Sequence, residues 1–160
     1  MIIFFCITAS KNRIVYHQGI GNTHSFILNE SNTEADVADH FNDTSPTSSV
    51  FTVINDADVG TDGRTYIAYC FAEKQGYSKF GKYLGNNNAD GPFIYTGFKP
   101  AWVLFKRSSA TENWSLYDNK RLGYNPQSYG LRPNINNAES EYATAASVDF
   151  VSNGFKIREA

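Results

Sequence analysis

Charge of either sign is scarce in this chain. Only 19% of its 160 residues are Asp, Glu, Lys or Arg, and the formal net charge is −2 with three neutral histidines. Without a basic excess there is nothing to grip a nucleic-acid backbone, so nucleic acid is not an expected partner. No apolar run approaches the ~20 residues that cross a bilayer, so membrane insertion is not expected either. The apolar opening, Met1-Ile-Ile-Phe-Phe-Cys-Ile-Thr8, has no basic flank and no small-x-small cleavage site. It reads as a buried strand, not a signal peptide. Cysteine is limited to Cys6 and Cys70, both inside apolar runs. A chain of this size needs no disulfide framework, so both are expected free and buried, with a single bridge as the alternative. Helical spacing is also rare: residues 32–41 offer one short turn, and residues 137–145 a second, weaker one.

Aromatics and asparagine are plentiful by contrast. Twelve Phe, ten Tyr and two Trp stand beside 16 Asn. Aromatics suit pleated, half-buried surfaces, while Asn, Gly and Ser suit turns. The apolar or β-rich stretches fall at residues 2–7, 14–16, 26–28, 50–54, 65–71, 80–84, 93–98, 101–105, 114–117, 148–151 and 155–157. Nearly a dozen short strands in one domain predict an all-β, antiparallel β-sandwich of jelly-roll or concanavalin-like type.

Self-comparison finds a degenerate repeat. At an offset of 101, Ile2-Ile3-Phe4 falls on Val103-Leu104-Phe105, and Asn12-Arg-Ile-Val-Tyr16-His17 on Asn113-Trp-Ser-Leu-Tyr117-Asp118. At 103, His24-Ser-Phe-Ile-Leu28 falls on Gln127-Ser-Tyr-Gly-Leu131, and at 104 Ser48-Ser-Val-Phe51-Thr-Val53 on Ser152-Asn-Gly-Phe155-Lys-Ile157. The expected organisation is one domain over 1–160, with repeat units at about 1–54 and 98–158 and bridging strands over 64–97. The second unit is preceded by Gly97-Phe-Lys-Pro100, whereas the first lacks that lead-in. The chain is therefore expected to be an excised module, or to borrow an edge from another subunit.

Motifs for chemistry are few. Asp56-Ala-Asp58-Val-Gly60-Thr-Asp62-Gly63 clusters three carboxylates, and hard cations take such oxygens. The EF-hand pattern fails, because its glycine and bidentate glutamate positions hold Thr61 and Ile67. The loop reads as an acidic turn, with calcium at Asp56, Asp58 and Asp62 as the alternative. His17, His24 and His40 show no zinc-ligand spacing, so no metal centre and no cofactor are expected. Nucleotide and hydrolase fingerprints are missing. Glu73, Glu112 and Asp118 are the carboxylates that glycoside chemistry could use, but no acidic pair is embedded in aromatic sequence.

Trp102 and Trp114 are expected in the core, with Leu116 beside Trp114 and Tyr117 nearer solvent. The polar loop over 118–137 is rich in Asn, Tyr, Arg and Gly, a composition suited to adaptable recognition. The candidate ligand-binding residues are Tyr117, Asp118, Arg121, Tyr124, Asn125 and Tyr129. Aromatic faces stack on sugar rings, and Asn, Asp and Arg hydrogen-bond hydroxyls or acidic groups.

Several strings carry resemblances. Tyr77-Ser-Lys79-Phe-Gly81-Lys-Tyr83-Leu-Gly-Asn86 is similar to one strand of alginate-lyase-like jelly rolls, although that family's Arg-x-Glu-Leu and Gln-x-His strands are missing. It leaves a polysaccharide-degrading enzyme, tested at Tyr83, as a third reading. Most of the chain resembles a β-rich domain recurrent in tail and structural proteins of marine bacteriophages. The resemblance is carried by Tyr66-Ile-Ala-Tyr-Cys-Phe-Ala-Glu73, Gly76-Tyr-Ser-Lys-Phe-Gly81-Lys-Tyr83-Leu-Gly-Asn86 and Asp90-Gly-Pro-Phe-Ile-Tyr-Thr-Gly-Phe98-Lys-Pro100-Ala-Trp-Val-Leu-Phe-Lys106-Arg107. Trp114-x-x-x-Asp118-x-x-Arg121 and Val148-Asp-Phe-Val-Ser-Asn-Gly-Phe155-Lys-Ile157 extend it. Arg13 stands where that pattern has Trp. The resemblance implies a non-catalytic virion module on the extracellular face of a tail or appendage, attaching to host-surface polysaccharide. Its implied partners are other virion proteins, a cell-surface glycan and further copies of itself. A purely structural connector is the alternative.

Overall fold

The computed structural model describes residues 1–36, 38–141 and 147–158. The architecture is all-β with antiparallel sheets, consistent with a β-sandwich-like fold. The chain falls into two compact units, Met1–Ala72 with Arg107–Asn113, and Glu73–Lys106 with Trp114–Ala160. Among the described residues no helix is long and apolar enough to cross a membrane.

The first unit contains β1 (Ile2–Cys6), β2 (Ile14–Tyr16), β3 (His24–Ile27), β4 (Ala35–Asp36), α1 (Ala38–Phe41) and β5 (Tyr66–Cys70). They form one sheet in the order β4-β3-β2-β1-β5. Alternation along β1 turns Ile2, Phe4 and Cys6 inward and leaves Ile3 and Phe5 half-buried. Ile2, Phe4, Ile14, Tyr16, Phe41 and Val59 make the apolar cluster of this unit. Each of the larger side chains contributes about 1.5–3 kcal/mol by leaving water. The Phe41 ring lies 5.8 Å from Phe4 and 5.3 Å from Tyr16, so the single turn of α1 is held by packing, being too short to stand on propensity. The Arg13 guanidinium lies 4.9 Å from the centre of the Phe5 ring, a cation–π contact.

The second unit contains β6 (Phe93–Tyr95), β7 (Trp102–Phe105), β8 (Ser115–Asp118), β9 (Tyr129–Gly130), β10 (Ser140–Glu141), β11 (Val148–Val151) and β12 (Gly154–Ile157). β11, β12 and β6 form one sheet, while β7 pairs with β8 and β10 with β9. A two-way backbone bridge between Leu116 and Leu131 joins β8 to the segment following β9. Val103, Tyr117, Val148, Phe150, Phe155 and Ile157 make the apolar cluster of this unit.

The repeat is visible in the ladders. Ile2 faces Tyr16 and Ile3 faces Val15 in the first unit; Val103 faces Tyr117 and Leu104 faces Leu116 in the second. These are the same pairs displaced by the 101-residue offset. A polar clasp recurs as well. Asn29 Oδ1 accepts from the Arg13 amide at 2.7 Å, and Asn134 Oδ1 accepts from the Trp114 amide at 3.0 Å. The bridging segment is divided, with β5 beside β1 in the first unit and β6 beside β12 in the second.

Several expectations need correction. Residues 50–54 and 80–84 form no strand. Over residues 32–41 the helix is confined to Ala38–Phe41 and is preceded by β4, with residue 37 outside the described set. The helix expected over 137–145 is replaced by β10 at its described end, and residues 142–145 lie outside the described residues. Cys6 is buried and free, but Cys70 is free and exposed. The two face Tyr66 and Ile2 at opposite ends of the β1–β5 ladder, so no bridge joins them. β5 borders the sheet, and a bordering strand without a covering layer exposes both of its faces.

Candidate functional site

The loop after β8 is organised by Asp118. Its Oδ1 accepts from the amides of Lys120 at 2.9 Å and Arg121 at 3.0 Å, and its Oδ2 pairs with Arg121 Nε at 2.8 Å. This is an Asx-type turn, in which a short carboxylate side chain closes the reversal that the backbone begins. Arg121 Nη1 also meets the Glu139 carboxylate. Partial burial raises the Asp118 pKa, but the two amides and the guanidinium outweigh it and leave the carboxyl below its ordinary 3.8. A depressed folded-state pKa means stability present above the unfolded value and lost as pH falls through the folded one. Asp118→Asn should therefore cost on the order of 1 kcal/mol at pH 7. Urea melts of both proteins should converge as the pH drops below 3.8.

Further along, Asn125 acts as a surrogate strand partner. Its Nδ2 donates to the Phe150 carbonyl and its Oδ1 accepts from the Phe150 amide, both at 3.0 Å. The Gln127 backbone exchanges two hydrogen bonds with Val148. Its side-chain Nε2 donates to the Tyr124 carbonyl at 2.6 Å. Its Oε1 is buried and has no hydrogen-bond partner among the described residues. An orphan acceptor of this kind costs about 1–3 kcal/mol.

Gln127 borders a hollow of about 270 Å³ lined also by Lys99, Asn119, Lys120, Tyr124 and Asn125. The volume suits one sugar ring better than a drug-sized ligand. Tyr124 is 66% exposed and offers its ring to solvent. Neither Lys99 nor Lys120 makes an ion pair among the described residues. The hollow is thus polar and positively charged.

Of the six candidates, Tyr124 and Asn125 line this hollow. Asp118 and Arg121 shape the turn that carries Asn119 and Lys120. Tyr129 sits half-buried in β9, opposite Glu141, outside the lining. Tyr117 is only 2% exposed and belongs to the core, contrary to the expectation that it lies nearer solvent. Trp114 is buried as expected, but Leu116 is only half-buried and Trp102 is 53% exposed. Asn119 and Gln127 escaped the sequence reading. The repeat offered one signal, since it set Gln127 opposite His24 and so marked a position polar in both copies.

Among the carboxylates considered for sugar chemistry, Glu73 takes a hydrogen bond from Lys79 Nζ at 3.1 Å, which with the Phe80 amide holds it below its ordinary pKa. Tyr83 packs edge-on against Phe105 at 6.1 Å. In the first unit a larger hollow of about 430 Å³ is floored by Phe4, Phe51 and Val59 and rimmed by Asp62 and Arg64. Phe4 and Val59 of its lining belong to the core, so the smaller hollow is the better candidate. Asp56 and Asp58 come together with His40, while Asp62 stands on the rim and outside that group.

The fold and the hollow define an antiparallel β domain with a polar, lysine-flanked recess. The chain belongs to the family described as a domain of unknown function (DUF7483), whose model matches residues 1–160. No curated protein and no solved structure matches it significantly.

Proposed function

We propose that this chain is a non-catalytic module of a phage virion, a tail-fibre or appendage domain that attaches to host-surface polysaccharide. The observation that carries the binding part is the recess beside Gln127, where two lysines without an ion pair among the described residues, two asparagine side chains and an exposed tyrosine line one hollow. The asparagine amides suit hydroxyls, the tyrosine face suits a pyranose ring, and the lysines favour an acidic sugar. The phage setting rests on the sequence resemblance. One such recess binds weakly, so attachment relies on several copies displayed together.

The test is a glycan array probed with the full chain displayed as a multimer. Acidic polysaccharides should be retained, less so as salt rises. Tyr124→Ala, and Lys99→Glu combined with Lys120→Glu, should each lower retention about 10-fold or more, a loss of about 1.4 kcal/mol. These side chains lie at the surface, so unchanged melting curves would show that folding is intact. Retention of no glycan, or retention indifferent to both variants, would defeat the proposal. Release of reducing ends or unsaturated sugars would favour the enzyme reading instead.

One observation favours the structural-connector reading. Among the described residues β5 pairs only with β1, and Ile67 and Tyr69 stand exposed along it, with Phe71 exposed just beyond. An uncovered edge of this kind can accept a strand from a neighbouring virion protein.

A further inference from the structure

We propose that His40, Asp56 and Asp58 form a binding site for a divalent transition cation of the zinc class. One ligand atom from each residue lies within 4.8 Å of the other two. The imidazole comes from α1 and the carboxylates from the loop that follows it, so the site joins segments well apart in sequence. The sequence alone disfavoured it, because the three residues share no ligand spacing.

The separations suit coordination. His40 Nε2 stands 3.6 Å from Asp56 Oδ1, too long for a hydrogen bond. Bonds of about 2.0–2.2 Å to a tetrahedral ion set neighbouring ligand atoms roughly 3.3–3.6 Å apart, so this pair already has the required separation. Asp58 offers the third ligand atom, within 4.8 Å of the other two, and closes on the ion by a small side-chain adjustment. The imidazole is 5% exposed and its orientation is fixed, since Nδ1 lies 2.9 Å from Ser25 Oγ. A hydrogen bond at the second ring nitrogen is the usual way in which a metal-binding histidine is aimed.

The carboxylates are aimed too. Asp58 accepts from the Asn12 amide at 3.1 Å and from Asn12 Nδ2 at 3.3 Å, and Asp56 Oδ1 accepts from the Asp58 amide at 2.7 Å. Each carboxylate retains lone pairs beyond those bonds. Two carboxylates face one imidazole, with the Arg64 guanidinium on the Ala57 carbonyl between them. A buried nitrogen ligand excludes calcium, which takes six to eight oxygens, and suits zinc with water in the fourth position. The fourth position stays open to solvent, and the ion fastens the acidic loop to α1. This inference is independent of the glycan reading, since every residue in it belongs to the first unit.

The experiment uses the full chain, stripped of metal with a chelator, then titrated separately with zinc and calcium. Zinc in saturating excess should raise the melting temperature by about 5 °C or more. His40→Gln and Asp56→Asn should each abolish the rise. Cobalt added to the unaltered chain should give tetrahedral d–d absorption without a sulfur-to-cobalt charge-transfer band, because Cys6 and Cys70 lie outside the site. That spectrum decides the matter even if a variant fails to fold. No rise with zinc, a rise that survives both variants, an equal rise with calcium, or a charge-transfer band would each overturn the proposal.

Discussion

Tyr117→Ala should remove about 3–5 kcal/mol from the second unit, the usual cost of deleting a large buried ring. Tyr117 is among the most deeply buried large side chains of the protein. It shares its cluster with Val103, Val148, Phe150, Phe155 and Ile157, and its ring lies 6.2 Å from Phe105. Gly130 is part of the same fit: a Cβ there would stand 3.0 Å from the Tyr117 ring. Nothing nearby can fill the space a missing ring would leave without moving two strands. Urea denaturation followed by circular dichroism should show the midpoint falling with little change in slope. Tyr117→Phe should cost far less, since it keeps the ring. If Tyr117→Ala melted like the parent protein, the burial described for the second unit would be wrong.

Gly60→Ala should be nearly as damaging, for a different reason. A Cβ at Gly60 would lie 1.9 Å from the Ile54 carbonyl oxygen and 2.9 Å from its carbon. Both obstacles are backbone, so no side-chain rotation relieves them. The loop must open, and opening it lifts Val59 out of the first unit's cluster. It also breaks the bond from the Gly60 amide to the Asp56 carbonyl. A loss of about 3 kcal/mol is expected, at the upper end for overpacked sites. Gly81→Ala, whose Cβ would meet open space, is the matched control and should stay within about 0.5 kcal/mol of the parent.

Much of the fold was legible because strand periodicity and the repeat are local signals. Ile2-Ile3-Phe4 and Val103-Leu104-Phe105 both read as strands, and self-comparison aligned them before any pairing was known. Face assignment was harder. In β8 both parities carry apolar residues, so alternation could not say whether Leu116 or Tyr117 turns inward, and the first unit's Tyr16 was the better guide. Trp102 and Cys70 illustrate a second difficulty. Whether a strand residue is covered depends on which segments pack over it, and no local pattern encodes that. The recess was half legible. Tyr124 and Asn125 stood out by loop composition, but Lys99 reaches the recess from before β7, more than twenty residues away in sequence. His40 was invisible as a ligand because its partners lie beyond any known ligand spacing.

The β1–β5 ladder sets a timetable for synthesis. Ile2 waits for Cys70 and Cys6 waits for Tyr66, whereas β2 and β3 leave the ribosome soon after β1. At ~5–20 residues per second, a gap of about sixty residues keeps one flank of β1 bare for roughly 3–12 s. During that interval nascent chains on one polysome carry matching unpaired flanks, and their crowding governs how much product survives. Slower initiation or a lower growth temperature during expression is therefore the lever for soluble yield.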